Sequence, residues 1–355
     1  MKAKTKGPSN VVPPTGRPTL KDIAGIAGVS VGTVSAALNN RPSVAMETRA
    51  LVIDVATSIG YELKSPSQQL PDTNLKVIGL LVKHDVGMAW EVNPFYSQVQ
   101  LGVTNTCHSH NISLMVANIE VDASNHPVDW PTMINEQRID GLIMAGTFID
   151  DTVQMVRRKV DIPIVLVDSY APELPFDSIV TDNEGGAQKA VRYLVESGHT
   201  RIGLAGWNSL SPPSIQQRKL GYDRVLAENG LEPFIVETNL SRDGGETAVL
   251  QLLGSNKNVT AIFCCNDETA LGAMSAAREL GLEIPRDLSV IGFDNIGLAG
   301  ETTPALTTVH AHKSWMGTLG VRALIERARN PRQPQLTTML STYLVIRETV
   351  SSPAH

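Results

Sequence analysis

Three apolar runs in this chain end in carboxylates or carboxamides. Ile162–Val167 ends in Asp168, Ala261–Cys265 in Asn266-Asp267, and Leu288–Phe293 in Asp294-Asn295. Such groups at the carboxyl ends of sheet strands can grip sugar hydroxyls bidentately. They also cap following helices, and for Asp168 alone the two readings stand side by side. Phe95 and Tyr96, after Asn93-Pro94, join Trp90 and Trp207 in strand-to-helix loops. There an aromatic face can stack on a carbohydrate or a nucleoside, although core packing is the commoner fate of any one ring. A second set is short and polar: Thr19, Ser30, Thr33, Ser35 and Asn39. These side chains suit phosphate contacts. The chemistry on offer is binding. No glycine-rich dinucleotide turn, Walker loop, nucleophile elbow or metal-ligand spacing occurs, so no enzyme activity, cofactor or metal is expected. Cys107, Cys264 and Cys265 read as buried small hydrophobes, and His199 as part of a helix stop and strand entry.

The short polar residues sit in two short helices. Thr19 caps the first, with Asp22 as a weaker capping-box partner. Ile23, Ala24 and Ala27 form its inner stripe, Gly28 makes the turn, and Ser30 caps the second helix. Val34 and Leu38 face back toward the first helix. Thr33 and Ser35 lie on its other faces. This is a helix-turn-helix, which lays its second helix in the major groove. A third helix is expected over about residues 46–59.

The runs Thr-Leu-Lys-Asp-Ile-Ala (19–24), Ala-Gly-Val-Ser (27–30), Thr-Val-Ser (33–35) and Leu-Asn (38–39) closely resemble the head of the lactose-repressor/galactose-repressor (LacI/GalR) family. Thr48, Arg49 and Gly60-Tyr61 continue the resemblance, which extends over about residues 19–348. It implies an N-terminal all-α DNA-binding head on a two-lobed α/β core like that of periplasmic sugar-binding proteins. It also implies a hinge whose leucine wedges into the minor groove, a position that Leu70 occupies; the plainer reading is a lone leucine in a linker. Pro71 would end a hinge helix almost at once. Effector contacts are implied at Asp168, Asn266 and Asp294, and at Arg218 in Arg-Lys-Leu-Gly-Tyr.

The organisation agrees. Residues 1–18 read as a disordered tail, 19–64 as the head, 65–75 as a polar hinge, and 76–350 as alternating strands and helices. Continuous apolar strands imply parallel doubly wound sheets, and the length implies two lobes. By the resemblance the chain crosses between lobes three times. Lobe one then holds about 76–180 plus 310–338, and lobe two about 181–309 plus 339–350. The chain of 355 residues has net charge −6, yet residues 1–76 carry +4 and the remainder −10. A basic end on an acidic body suits nucleic-acid contact at that end alone. No apolar run is long enough for a membrane span and no secretory pattern is present, so a cytoplasmic protein is expected. No heptad run follows Arg347-Glu348, which favours a dimer over a tetramer.

In one respect the head departs from its relatives. The positions that read base edges in the family are here Val31, Gly32 and Ala36, none with a hydrogen-bonding side chain. Val31 and Ala36 can touch thymine methyls, but none of the three can form the arginine–guanine pair, which is worth about 1–3 kcal/mol. The expected function is an effector-responsive repressor on a pseudo-palindromic operator, with a sugar or nucleobase-like effector. The alternative is a small-molecule-binding protein with a vestigial head.

Overall fold

The computed structural model describes residues 18–38, 44–59, 61, 75–85, 93–122, 124–171, 173–254 and 258–353. The chain divides into two units, Met1–Asp72 and Thr73–His355. Asn39, Leu70, Trp90 and most of the expected hinge lie outside the described residues.

The first unit holds α1 (Leu20–Ala27), α2 (Val31–Leu38) and α3 (Met46–Ser58). Thr19 and Asp22 form a reciprocal capping box. The Asp22 amide donates to the Thr19 hydroxyl at 3.4 Å, and the Thr19 amide to Asp22 Oδ2 at 2.7 Å. Asp22 therefore acts as a full partner, because its shorter side chain still reaches the cap amide. The chain leaves α1 through Gly28 at φ 64°, a left-handed cap where a Cβ would be strained. Ser30 Oγ then accepts the Thr33 amide at 3.0 Å and starts α2, and the axis turns by 105° between the two helices. Ile23, Val34, Val52 and Ala56 are fully buried in the core that the three helices share.

The second unit begins in lobe one. Its elements are β1 (Val77–Asp85), α4 (Pro94–Ser109), β2 (Ser113–Val121), α5 (Thr132–Asn135), β3 (Gly141–Ala145), α6 (Asp150–Lys159), β4 (Ile164–Val167) and β5 (Asp177–Thr181). The chain then crosses to lobe two for α7 (Asn183–Glu196), β6 (Ile202–Trp207), α8 (Pro213–Glu228), β7 (Phe234–Glu237), α9 (Arg242–Gly254), β8 (Ala261–Cys264), α10 (Asp267–Glu279), β9 (Ser289–Asp294) and β10 (Thr307–His310). It returns to lobe one for α11 (Lys313–Arg329) and β11 (Thr337–Leu340), and ends in lobe two with β12 (Tyr343–Val345).

Each lobe carries a six-stranded sheet, in the orders β11-β5-β4-β3-β1-β2 and β12-β10-β9-β8-β6-β7. Among the described residues, the strands within each sheet pair in parallel except β10 with β12. Helices cover both faces of each sheet, which is why a central strand such as β3 is buried at every residue. In lobe one, Val99 and Val103 of α4 and Met316 and Val321 of α11 pack on one face, and Val153 and Val156 of α6 on the other. The third crossing differs from the expected boundary at 338. Met339 and Leu340 still pair with Val180 and Thr181 of β5, so lobe one runs to Leu340. No break in apolar pattern marks the switch of sheets there. Among the described residues, no single helix is long and apolar enough to cross a membrane.

Candidate functional site

A cavity of about 170 Å³ opens between the lobes at the carboxyl ends of the strands. Lobe one contributes Thr147, Asp168, Ser169 and Tyr170, together with Thr337 and Met339 of β11. Lobe two contributes Asn183 at the start of α7, and Pro213, Ser214 and Gln217 of α8.

Asp168 follows β4 at φ 58°, a left-handed conformation that Asp tolerates better than most residues. It does not cap a helix. Its Oδ2 accepts the Tyr96 hydroxyl at 2.8 Å, so α4 fixes the carboxylate at the cavity. Burial raises its pKa to about 6, against the lowering effects of that hydrogen bond and of Arg218. Burial, and then the Asp168 charge, push the Tyr96 phenol well above its ordinary range, so Tyr96 is the donor of the pair at neutral pH.

Arg218 lies deeper. It is 4% exposed, and its guanidinium stacks 3.7 Å from the Phe293 ring centroid. Nε donates to Asn183 Oδ1 at 2.9 Å, Nη1 to the Cys265 carbonyl at 2.5 Å, and Nη2 forms an ion pair with Asp294 at 3.2 Å. That last contact is close in charge but not aligned as a hydrogen bond, since Asp294 Oδ1 is otherwise unpartnered. Burial raises the Asp294 pKa, against the pull of Arg218 and Lys313. Asp294 sits at φ 108° and Asn295 at φ 53°, both at the end of β9. Backbone strain of this kind persists only where the surroundings impose it. Here Lys313, at the second crossing, donates to the carbonyls of Asp294 and Asn295, and Arg347 Nη2 donates to Asn295 Oδ1 at 2.8 Å. Asp267 accepts the Ile296 amide at 2.8 Å and the Thr308 hydroxyl at 2.5 Å, and burial lifts it to about 7.

The structure separates the expected site residues. Asp168 lines the cavity, and Tyr96 holds it. Arg218 and Asp294 form a buried pair behind the wall, reaching it through Asn183. Asn266 is the N-cap of α10: its Oδ1 accepts the Thr269 amide at 2.9 Å and its Nδ2 donates to the Leu240 carbonyl at 3.2 Å. Its carboxamide is thus used inside lobe two, outside the cavity walls. Phe95 is 8% exposed and packs in the lobe-one core, edge-on to Tyr96, so it is not a stacking platform here. Trp207 Nε1 donates to Gln216 Oε1 at 2.8 Å, with Lys219 over its ring. His199 is a buried structural group held by Thr260, Ser289 and the Ser351 carbonyl. All three cysteines are buried and free. Sequence reasoning missed Tyr170, Gln217, Thr337 and Met339. Tyr170, two residues after Asp168, carried a readable signal as a loop aromatic; Met339 carried none.

On the head, Val31 and Gly32 are exposed and Ala36 is half-buried. Thr33 Oγ1 lies 2.9 Å from Ser30 Oγ, so both hydroxyls sit together at the start of α2. Ser35 is half-buried on the same helix, and Thr19 Oγ1 is engaged by Asp22. No group of three or more His, Cys, Asp or Glu that could hold a metal occurs among the described residues.

Residues 19–63 match the model of the lacI family of bacterial regulatory proteins, and residues 191–350 that of the periplasmic binding protein-like domain. The ribose operon repressor of Haemophilus influenzae is 34% identical over 94% of this chain and 99% of its own. The HTH-type transcriptional repressor PurR of Photobacterium profundum is 32% identical over 94% of this chain and 98% of its own. Among solved structures, the lac repressor dimer bound to operator and an anti-inducer matches with a TM-score of 0.66 at 27% identity, covering 95% of this chain and 100% of that one. A capped helix-turn-helix, two parallel sheets crossed three times, and relatives that align along nearly their whole length agree: the chain belongs to the LacI family of bacterial regulatory proteins.

Proposed function

We propose that this protein is a transcriptional repressor that binds a pseudo-palindromic operator as a homodimer and responds to a sugar or sugar-like effector in the interlobe cleft. Residues 19–64 form the DNA-binding head, 65–75 the hinge and 76–350 the sensing and dimerising core. The observation that carries the reading is one cavity walled by both lobes, with Asp168 fixed at its edge by Tyr96. A ligand that touches both walls favours the closed arrangement of the lobes, and so shifts the balance between states that differ in operator affinity. The named relative that acts on a ribose operon, and the lac repressor dimer on its operator, support this class of effector and partner. On the head, Ser30, Thr33, Ser35, Thr19 and Asn39 contact phosphate, Val31, Gly32 and Ala36 face the bases, and Leu70 enters the minor groove. The protein acts in the cytoplasm by binding alone, without catalysis or cofactor.

Fluorescence anisotropy with genomic DNA fragments, at stepped salt and with candidate effectors, tests the proposal. The expected result is an affinity that falls steeply as salt rises and changes with effector. Failure to bind any duplex in a salt-sensitive way, under every effector condition, overturns it. One observation favours a second reading, a sensor with a vestigial head: α2 leaves Val31 and Gly32 exposed and Ala36 half-buried, with no hydrogen-bonding side chain among them. In that case the same titration shows effector binding without DNA binding.

A further inference from the structure

We infer that the core itself touches DNA. Lys76, Arg138, Arg157, Arg158 and Lys159 form a basic patch at the end of lobe one where the chain enters the core, and this patch makes sequence-independent contact with the phosphate backbone. The inference rests on the DNA-binding reading above and extends it to a second surface, outside the head and the cleft.

Parallel strands all run one way, and the helices between them run back. The carboxyl ends of the lobe-one strands face the cleft, so their amino ends share the opposite end of the lobe with the carboxyl ends of α5 and α6. β1 starts there at Val77, just after Lys76, and thirteen residues, 62–74, separate Tyr61 of the head from Leu75. The cations gather at this tethered end. The Lys76 and Val77 amides donate to Asp140 Oδ2 at 2.7 and 2.8 Å, which fixes Lys76 beside the turn that bears Arg138. Lys159 lies over the Trp130 ring, 5.0 Å from its centroid, and Asn135 Nδ2 donates to the Trp130 carbonyl at 3.0 Å, which joins the end of α6 to α5. All five cations are exposed, which suits an extended polyanion rather than an enclosed small ligand.

The carboxylates at this end do not cancel the patch. Asp140 is occupied by the two backbone amides. Glu136 pairs with Arg138, and Asp161 with Arg157 at 2.9 Å, both at the surface, where such pairs are weak. Among the described residues no carboxylate is paired with Lys76, Arg158 or Lys159. The acids lie at the other end of the lobe: Asp150 and Asp151 in the first turn of α6, with Glu120, Asp122 and Asp168 at the ends of β2 and β4. Lobe one is therefore polarised along its strands, acidic at the cleft and basic at the tether, within a core whose net charge remains acidic. Complementing the helix dipole accounts for part of the basic end. Arg157 serves that role, donating to the Val160 carbonyl at 2.8 Å. Arg158 has no carbonyl or carboxylate partner among the described residues. Duplex phosphate matches these cations in charge, and the head holds it at the end of a short tether.

The test is fluorescence anisotropy of the full-length protein at stepped salt. The probes are a site recovered from a random DNA pool and an unrelated duplex of the same length. Each phosphate contact adds about 0.9 to the slope of log affinity against log salt. Arg158→Gln with Lys159→Gln removes four cations from a dimer. It is expected to make the slope shallower by about 2 to 4 on both duplexes, and to weaken binding about tenfold at low salt. Lys76→Gln, in the loop before β1, is expected to lower the slope by about 2, and carries the test if circular dichroism shows the double variant unfolded. Arg192→Gln with Arg224→Gln removes the same charge from α7 and α8 of lobe two, and is expected to leave both slopes unchanged. Patch variants that fold and keep the wild-type slope overturn the inference. So does an equal change in the lobe-two variant, which would assign the effect to net charge. If wild-type protein binds DNA while the patch variants match it, this inference falls and the regulator stands; if wild-type protein binds no duplex, the regulator itself falls.

Discussion

At the scale of residues, the cleft places ligand binding and stability in opposition. Asp168 keeps its proton up to about pH 6 in the folded protein, against an ordinary value of 3.8. The native state therefore binds more protons than the unfolded chain between those values, and stability falls as pH rises through that window. Asp168→Asn removes the buried charge and still accepts the Tyr96 hydroxyl. Chemical denaturation at pH 7.5 is expected to show the variant more stable by about 2 kcal/mol, with the gain vanishing near pH 4. Effector affinity should drop in the same variant, because the carboxamide has a single acceptor oxygen, which already receives the Tyr96 hydroxyl. An unchanged stability profile would show that Asp168 is solvated in the folded state. The strained backbone at Asp168, Asp294 and Asn295 belongs to the same pattern, in which a binding site is held away from its own stability optimum.

At the scale of elements, β11 is the part of the cleft most dependent on long-range support. It is an exposed edge strand of four residues, yet it carries Thr337 and Met339 into the cavity wall. An ion pair anchors the segment leading into it. Arg327 of α11 meets Asp177 of β5 at 2.6 and 2.9 Å and also donates to the carbonyls of Gln333 and Pro334. Asp177 in turn accepts the Leu336 amide at 2.9 Å. The Asp177 side chain is 2% exposed and that of Arg327 is 16% exposed, so loss of the cation leaves a buried carboxylate without its partner. Arg327→Met is expected to cost about 3 kcal/mol in urea unfolding. It should also speed amide exchange at residues 337–340 and weaken effector binding, while operator binding without effector is retained. Slow exchange across β11 in the variant would assign its order to β5 pairing alone.

At the scale of the whole molecule, charge and sensing are divided between two units. Residues 1–76 carry +4 and the rest of the chain −10, so electrostatic attraction to DNA is concentrated at the N-terminal end of the chain, and the acidic body repels DNA. Selection of binding sites from a random DNA pool is expected to return a two-fold symmetric site, as two heads of one dimer require. Opposite Ala36 no strong guanine preference should appear, because a methyl group cannot replace the guanidinium pair. Recovery of a dominant guanine there would mean that another side chain reads that base.

How much was legible in the sequence follows from where each signal resides. The head could be read almost residue by residue. Its caps at Thr19 and Ser30 and its turn at Gly28 are local devices, satisfied within three or four residues of chain. Central strands such as β3 and β8 were visible because both faces are buried and every residue is apolar or glycine. β5 was not. It reads Asp-Ser-Ile-Val-Thr, and its polar residues are buried only because Arg327 comes from 150 positions away to neutralise Asp177. α11 had a readable apolar stripe at Met316, Val321, Leu324 and Ile325 that strand-centred reasoning passed over.

The sequence by itself determined the family, the architecture and the strand-end polar residues, since these depend on neighbours along the chain. Only the tertiary structure decided their separate fates: Asp168 at the cavity, Asn266 consumed as a cap, Arg218 locked against Asp294, and Met339 brought into the wall. The physical reason is that a cleft between discontinuous lobes is assembled from distant segments. The charge that a ligand meets there depends on which groups have already been neutralised by one another.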